Sequence, residues 1–127
     1  MAQGAQKIIL IVDDEEALRE ALGKILEDDG YGIIVAESGE QAIEILRDHS
    51  VDLILTDMRM PGMSGLDLLK KVREIHSTLG VIILTGYGEI ESYIEAMHFG
   101  ALEYVSKPFK VNELKFIVNK ILNNSSD

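Results

Sequence analysis

Five short apolar segments, each rich in Ile, Val or Leu, recur along the chain and alternate with segments of helical spacing. The five are Ile8 to Val12, Gly32 to Ala36, Val51 to Thr56, Val81 to Thr85 and Leu102 to Ser106. Runs of this length and composition are typical of buried strands. Because a right-handed crossover through a helix normally joins neighbouring parallel strands, the alternation predicts an α/β fold with a parallel sheet and helices on both faces.

The intervening segments carry helix periodicity and helix-boundary residues. The first and last show apolar residues at helical spacing, at Leu18, Ala21, Leu22, Ile25 and Leu26, and at Leu114, Ile117, Val118, Ile121 and Leu122. Ser38 precedes a predicted helix containing Ala42 to Leu46, and Ser64 precedes one over Leu66 to Ile75, as helix-capping residues do. Three glycines are interpreted as helix ends: Gly30, Gly80 and Gly100.

Size and composition bound the class of protein. The 127 residues suit one domain, and 46% apolar with 27% charged residues is ordinary for a globular chain. The apolar runs are far shorter than the roughly 20 residues that cross a bilayer, so no membrane association is expected. The segment Met1 to Gln6 lacks the features of a secretory signal, which predicts a cytoplasmic location.

Charge and cysteine content exclude further classes. The formal net charge of −10 repels nucleic-acid phosphates, so direct binding of nucleic acid by this chain is not expected. The absence of cysteine excludes disulfides, thiolate metal sites and cysteine nucleophiles.

Polar and charged side chains that could bind a ligand or take part in a reaction follow several predicted strands. The first strand runs into Asp13 and Asp14, the third into Asp57, the fourth ends at Thr85 and the fifth runs into Lys107. Ligands of open parallel sheets bind outside the carboxyl ends of the strands. The sequence therefore predicts that three acids, a hydroxyl and a cation meet at one edge.

Such a cluster needs positive charge. Two carboxylates about 5 Å apart repel by roughly 3 kcal/mol at an effective dielectric constant of about 20. Lys107 supplies one charge, and Mg²⁺ suits a site of oxygen ligands, whereas zinc is disfavoured without histidine or cysteine nearby. A carboxylate beside Mg²⁺ and lysine can attack a phosphoryl group, so the cluster favours formation of an acyl phosphate on one of these aspartates.

The combined motifs resemble the receiver domains of bacterial two-component response regulators. They are ILIVDDEEALRE, LILTDMRMPGMSGLDLL, LTGYGE and GALEYVSKPF, and the likeness extends from about Lys7 to Leu122. It implies a doubly wound, flavodoxin-like sheet of order 2-1-3-4-5, and one receiver domain over 1–127 with its core at about 7–122. Residues 123–127 are then a polar tail or the stump of a linker. The segment DMRMPGMSG is most similar to the corresponding segment in receivers of sigma-54-dependent transcriptional activators.

The resemblance also implies roles for individual residues. Asp57 would receive a phosphoryl group from a phosphohistidine of a sensor histidine kinase. Asp13, Asp14 and Asp57 would bind Mg²⁺ together with the backbone carbonyl of Arg59. Thr85 would donate a hydrogen bond to a phosphoryl oxygen, and Lys107 would form an ion pair with the phosphoryl group. Tyr104 would move inward as a switch, and the peptide bond before Pro108 would be cis.

The same likeness implies an output. Phosphorylation would change the surface of the fourth helix, fifth strand and fifth helix, and this surface would control an output domain or a target protein, with a phosphorylation-dependent homodimer as one form of readout. The chain would phosphorylate and dephosphorylate itself without being a metabolic enzyme.

Other interpretations of these residues stay open at this point. Asp13 and Asp14 could cap the following helix, Asp57 could be a turn residue, and Tyr104 could be ordinary strand packing. A phosphohydrolase with an aspartyl nucleophile would carry a second acid where Arg59 stands. A pseudo-receiver would serve only as an interaction domain, but such members typically lack an acid or the lysine. The three histidines, at positions 49, 76 and 98, are expected at the surface, away from the strand ends.

Overall fold

A computed structural model of the chain describes residues 6–86 and 90–123. Within them lie five strands: β1 (Ile8–Val12), β2 (Gly32–Ala36), β3 (Leu53–Asp57), β4 (Gly80–Thr85) and β5 (Glu103–Ser106). Five helices alternate with them: α1 (Glu16–Asp28), α2 (Gly39–Asp48), α3 (Gly65–Ile75), α4 (Ile90–His98) and α5 (Val111–Asn123). Tyr87 to Glu89 of the LTGYGE motif and residues 124–127 of the predicted tail lie outside the described residues. Asn123, predicted as the first residue of the tail, instead belongs to α5.

The strands form one parallel sheet of order β2-β1-β3-β4-β5, which confirms the predicted topology. The chain passes from β1 to β2 on one side and then returns to β3 on the other. The order therefore reverses between β1 and β3, where sheets of this type leave a crevice at the carboxyl ends of the strands.

Two hydrophobic clusters cover the two faces of the sheet. Alternate residues of each strand point to opposite faces, so Ile9 and Ile11 pack in one cluster and Leu10 and Val12 in the other. The first cluster contains the buried residues of α1 and α5, and the second contains those of α2, α3 and α4. Helices thus lie on both faces, as predicted.

The serine caps are confirmed, and one glycine interpretation is wrong. Ser38 caps α2, and Ser64 forms a reciprocal capping box with Asp67 at the start of α3. Gly30 and Gly100 follow helices with φ of 98° and 91°. Gly80 is instead the first residue of β4, since α3 already ends at Ile75 with His76 as its C-cap.

Strand boundaries differ from prediction by one or two residues. β3 begins at Leu53, not Val51, and includes Asp57 as its last residue. The preceding Asp52 lies outside the strand, and its carboxylate accepts a hydrogen bond from the backbone N–H of Ile8 at 2.8 Å. Among the residues described, no helix combines the length and apolarity that crossing a membrane requires.

Candidate functional site

Three carboxylates meet at the carboxyl edge of the central strands. Val12 of β1 pairs with Thr56 of β3, so the residues that follow them, Asp13 and Asp57, lie side by side. Asp14 follows Asp13, and one carboxylate oxygen from each of the three acids lies within 4.8 Å of the others. The adjacent central strands therefore assemble the acidic cluster that the sequence predicts.

Lys107 brings a cation to this cluster from β5. Its Nζ lies 3.3 Å from Asp57 Oδ1 and 3.7 Å from Asp13 Oδ2, so one ammonium faces two carboxylates. The backbone N–H of Lys107 donates to the carbonyl of Thr85 at 2.6 Å, which extends the pairing of β4 and β5 by one residue. The peptide bond between Lys107 and Pro108 is cis, as the resemblance implies.

Asp13 is the most tightly enclosed of the acids. Its residue is 2% exposed, its N–H donates to the carbonyl of Ala36 at 3.1 Å, and its Oδ1 accepts from the N–H of Glu15 at 2.8 Å. Burial raises the pKa of Asp13 above its ordinary value; Glu15 and Lys107 oppose this, whereas Asp57 adds to it. Enclosure is thus the main reason that this carboxyl holds its proton more tightly than an exposed aspartate does.

The donor set fits Mg²⁺. The three acids offer only oxygen ligands, which a hard divalent cation prefers, and the single ammonium of Lys107 faces two of them. None of the three histidines belongs to the cluster within the described chain, and His49, His76 and His98 are exposed at or near helix ends, as predicted.

The backbone of Asp57 is held by close contacts. The hydroxyl of Thr56 donates to the Asp57 carbonyl at 3.0 Å, and the N–H of Gly65 donates to the carbonyl of Met58 at 2.8 Å. A Cβ on Gly65 would lie 2.2 Å from the Asp57 carbonyl oxygen. The sequence analysis did not single out Gly65, although it follows the Ser64 cap within the motif LILTDMRMPGMSGLDLL.

The other predicted site residues occupy distinct positions. Thr85 ends β4 and is fully buried, whereas Arg59 is exposed two residues beyond Asp57 in the segment before α3. Tyr104 on β5 is partly buried, and its ring meets Tyr93 of α4 edge to face with centroids 5.5 Å apart. The structure therefore brings Asp13, Asp14, Asp57 and Lys107 into one cluster and leaves Tyr104 beside α4.

Arg19 contacts the site, and the sequence analysis did not identify it. Its Nη1 donates to the backbone carbonyl of Asp13 at 2.8 Å. The available signal was a cation six residues after the first acid, on the helix that begins at Glu16.

Comparison with known proteins yields one consistent family. A family model described as "Response regulator receiver domain" matches residues 9–119. Sporulation initiation phosphotransferase F of Bacillus subtilis is 40% identical over 114 residues, which cover 90% of this chain and 92% of that protein. The crystal structure of response regulator TrrA from Thermotoga maritima, in complex with Mg²⁺-BeF, matches with a TM-score of 0.84 and 39% identity, covering 92% of this chain and 100% of that one.

One relative is a longer regulatory protein, as the predicted similarity to the receivers of transcriptional activators leads us to expect. Regulatory protein AtoC of Escherichia coli is 40% identical over 114 residues, which are 90% of this chain but 25% of AtoC. The family match and the sheet order agree across nearly the whole described chain. The chain belongs to the receiver domain family of two-component response regulators, whose function is phosphoacceptor signalling and not metabolic catalysis.

Proposed function

We propose that Asp57 is the residue that accepts the phosphoryl group. The observation that supports this most is the convergence of Asp57 with Asp13, Asp14 and Lys107 at the crevice where the strand order reverses. Asp57 is the only one of the three acids that ends a strand, and its backbone is held by Thr56 and packed against Gly65. Its carboxylate is thus a fixed nucleophile.

The donor is a phosphohistidine of a sensor histidine kinase. A carboxylate oxygen of Asp57 attacks the phosphorus, and the new O–P bond forms as the P–N bond breaks. The imidazole leaves as a neutral ring, because its other nitrogen carries a proton. The chain promotes this transfer, and the later hydrolysis of the aspartyl phosphate, by the positions of its own side chains.

Cations and a hydroxyl balance the charge of the transferred group. Asp13, Asp14 and Asp57, with the backbone carbonyl of Arg59, would hold Mg²⁺, which when bound neutralises phosphoryl oxygens. Lys107 already faces Asp57 at 3.3 Å and would pair with another phosphoryl oxygen. The hydroxyl of Thr85 would donate to a third oxygen. TrrA, with its Mg²⁺-BeF complex, supports this assignment.

The readout would pass from Thr85 to Tyr104. These residues lie on paired strands, since Thr85 pairs with Ser106 and Ile83 with Tyr104. The ring of Tyr104 already contacts Tyr93 of α4. A pull on Thr85 would shift Tyr104 inward and alter the surface of α4, β5 and α5, by changing the populations of two existing states.

That surface is suited to a partner because it exposes large apolar side chains. They are Tyr93, Ile94 and Met97 on α4, Leu102 before β5, and Val111 and Phe116 on α5. An output domain, a target protein or a second phosphorylated copy would cover this surface. The net charge of −10 makes nucleic acid an unsuitable direct partner for this chain.

The wider assignment follows from the same features. The receiver domain has its core at about 7–122. The likeness to sigma-54-dependent activators makes transcription control the output, with a cytoplasmic location and no membrane partner.

The test is phosphorylation by a small donor. The chain is incubated with Mg²⁺ and acetyl phosphate, and intact mass should show one added phosphoryl group. Asp57→Asn should abolish the adduct, whereas Asp48→Asn, on exposed α2 surface, should retain it. An unlabelled wild type, an adduct that persists in Asp57→Asn, or labelling that survives chelation of Mg²⁺ would contradict the assignment.

A further inference from the structure

Asp13 has four polar groups, the backbone N–H and carbonyl and the two carboxylate oxygens, and three of them make hydrogen bonds. Its N–H donates to the carbonyl of Ala36 at 3.1 Å, and its Oδ1 accepts from the N–H of Glu15 at 2.8 Å. Its carbonyl oxygen accepts from Arg19 Nη1 at 2.8 Å. The fourth atom, Oδ2, faces Lys107 Nζ at 3.7 Å. Asp13 therefore presents one oxygen to the acidic cluster while the rest of the residue is held.

Arg19 donates a hydrogen bond to the backbone carbonyl of Asp13, which no strand pair satisfies. The ladder of β1 ends with Val12, paired to Ala36 and Thr56, so the carbonyl of Asp13 lies beyond the strand pairs. A buried carbonyl needs a hydrogen-bond partner, and Asp13 is 2% exposed. Arg19 lies in the first turns of α1, and its long side chain reaches back past the start of the helix to that oxygen.

We propose that Arg19 is a positioning residue for the Mg²⁺ site, an inference that rests on the proposed function. By binding the carbonyl of Asp13, its guanidinium fixes the turn between β1 and α1, from which the carboxylates of Asp13 and Asp14 project. A hydrogen bond from a charged donor to a carbonyl is stronger than a neutral one and holds its geometry. Arg19 acts on the metal through the backbone of Asp13 and binds neither metal nor phosphoryl group itself.

The experiment compares two substitutions that remove the same charge from the same helix. Arg19→Met keeps an apolar stem and removes the donor, and Lys24→Met does the same at an exposed position on α1. The dissociation constant for Mg²⁺ is measured on the full chain by titration with MgCl₂, followed by ¹H–¹⁵N NMR shifts. Arg19→Met should raise the constant about tenfold, as loss of a residue that orients a ligand does. Lys24→Met should stay within about twofold, because exposed charges are screened by salt.

A third variant separates positioning from folding. Arg19→Lys keeps a charge and one flexible donor without the planar fork, so its dissociation constant should lie between those of wild type and Arg19→Met. If Arg19→Met does not fold, as judged by thermal unfolding in EDTA, the comparison of Arg19→Lys with wild type decides. Phosphorylation of Arg19→Met by acetyl phosphate should recover at saturating Mg²⁺, which a general loss of structure would not allow.

The results distinguish this inference from the function beneath it. Equal Mg²⁺ affinity in wild type and the Arg19 variants would overturn the role of Arg19 alone. An equal loss in Lys24→Met would also overturn it, since bulk charge would then explain the effect. A wild type that does not bind Mg²⁺ would instead overturn the proposed function.

Discussion

Two regions of the molecule depart from the usual distribution of residues in opposite directions. At the carboxyl edge of the sheet, polar residues are buried: Asp13 is 2% exposed, and Thr56 and Thr85 are fully buried. On α4 and α5, large apolar residues are exposed: Ile94 at 59% and Phe116 at 67%. Buried polar groups and exposed apolar surface are both costly, so each is a sign of function.

The difference between the regions concerns how their side chains are held. The edge fixes its groups by hydrogen bonds and contacts to backbone, as at Asp13 and Asp57. The exposed apolar residues of α4 and α5, such as Ile94 and Phe116, face solvent and would be stabilised by a partner that covers them. Chemistry that requires fixed geometry thus belongs to the edge, and recognition that requires available surface belongs to the helices, with β4 and β5 between them.

The largest expected effect tests how tightly the edge is built. Gly65→Ala would place a Cβ 2.2 Å from the Asp57 carbonyl oxygen and 2.9 Å from Met58 Cα, both in the backbone. We expect a loss of about 3 kcal/mol in the free energy of unfolding, or roughly 10 °C in Tm. Phosphorylation of Asp57 by acetyl phosphate should also slow, because the nucleophile is displaced. Chemical denaturation and intact mass measure the two effects.

A second glycine provides the matched control. A Cβ at Gly23, in α1, would meet Ile33 Cγ2 at 3.5 Å, which is ordinary contact. Gly23→Ala should therefore stabilise the protein by about 0.5–1 kcal/mol through helix propensity. If both variants changed stability alike, close packing at Asp57 would not distinguish the edge from the rest of the fold.

A smaller effect is expected from the charge of Asp13. The folded-state pKa of this carboxyl lies above its ordinary value of 3.8, chiefly because it is buried. Between those two values the folded chain retains a proton that the unfolded chain has lost, so stability falls as pH rises through that window. At neutral pH and without Mg²⁺, Asp13→Asn should therefore raise the free energy of unfolding by on the order of 1 kcal/mol.

The pH and metal dependence distinguish this origin from a packing effect. Below pH 3.8 the advantage of Asp13→Asn should vanish, because the wild-type carboxyl is then protonated in both states. Mg²⁺ should stabilise the wild type more than the variant. Thermal unfolding in EDTA and in MgCl₂ measures both, and an advantage that persists in acid would contradict the electrostatic explanation.

The sheet order was implied by the family resemblance, whereas the acidic cluster was predictable for a physical reason. Parallel strands joined by helices bring their carboxyl ends to one edge, so Asp13, Asp57 and Lys107 could be placed together from their positions after apolar runs. Contacts that depend on side-chain reach were not predictable in this way. Arg19 reads as an ordinary exposed helix cation until the helix is packed against β1.

The glycines show the same limit. Gly30 and Gly100 were correctly interpreted as helix ends because a local backbone conformation with positive φ selects glycine there. Gly65 is required because a Cβ there would lie 2.2 Å from the Asp57 carbonyl oxygen, a contact that forms only when the chain folds back after β3. Gly80 was wrongly interpreted as a helix end and is the first residue of β4. Local patterns predict local conformation, whereas close approach emerges only when elements pack.

The smallest effect on stability, and the one that tests the helical surface, is expected at Phe116. This side chain lines a shallow groove on α5 beside Val105 of β5 and is 67% exposed, so Phe116→Ser should change the free energy of unfolding by less than about 0.5 kcal/mol. Sedimentation velocity with Mg²⁺ and acetyl phosphate should show weaker self-association than wild type. Lys120→Ser, also exposed on α5, should behave like wild type. A Phe116→Ser protein that associates as wild type does would remove α5 from the readout surface, whereas a large loss of stability would show that the exposed residue supports the core after all.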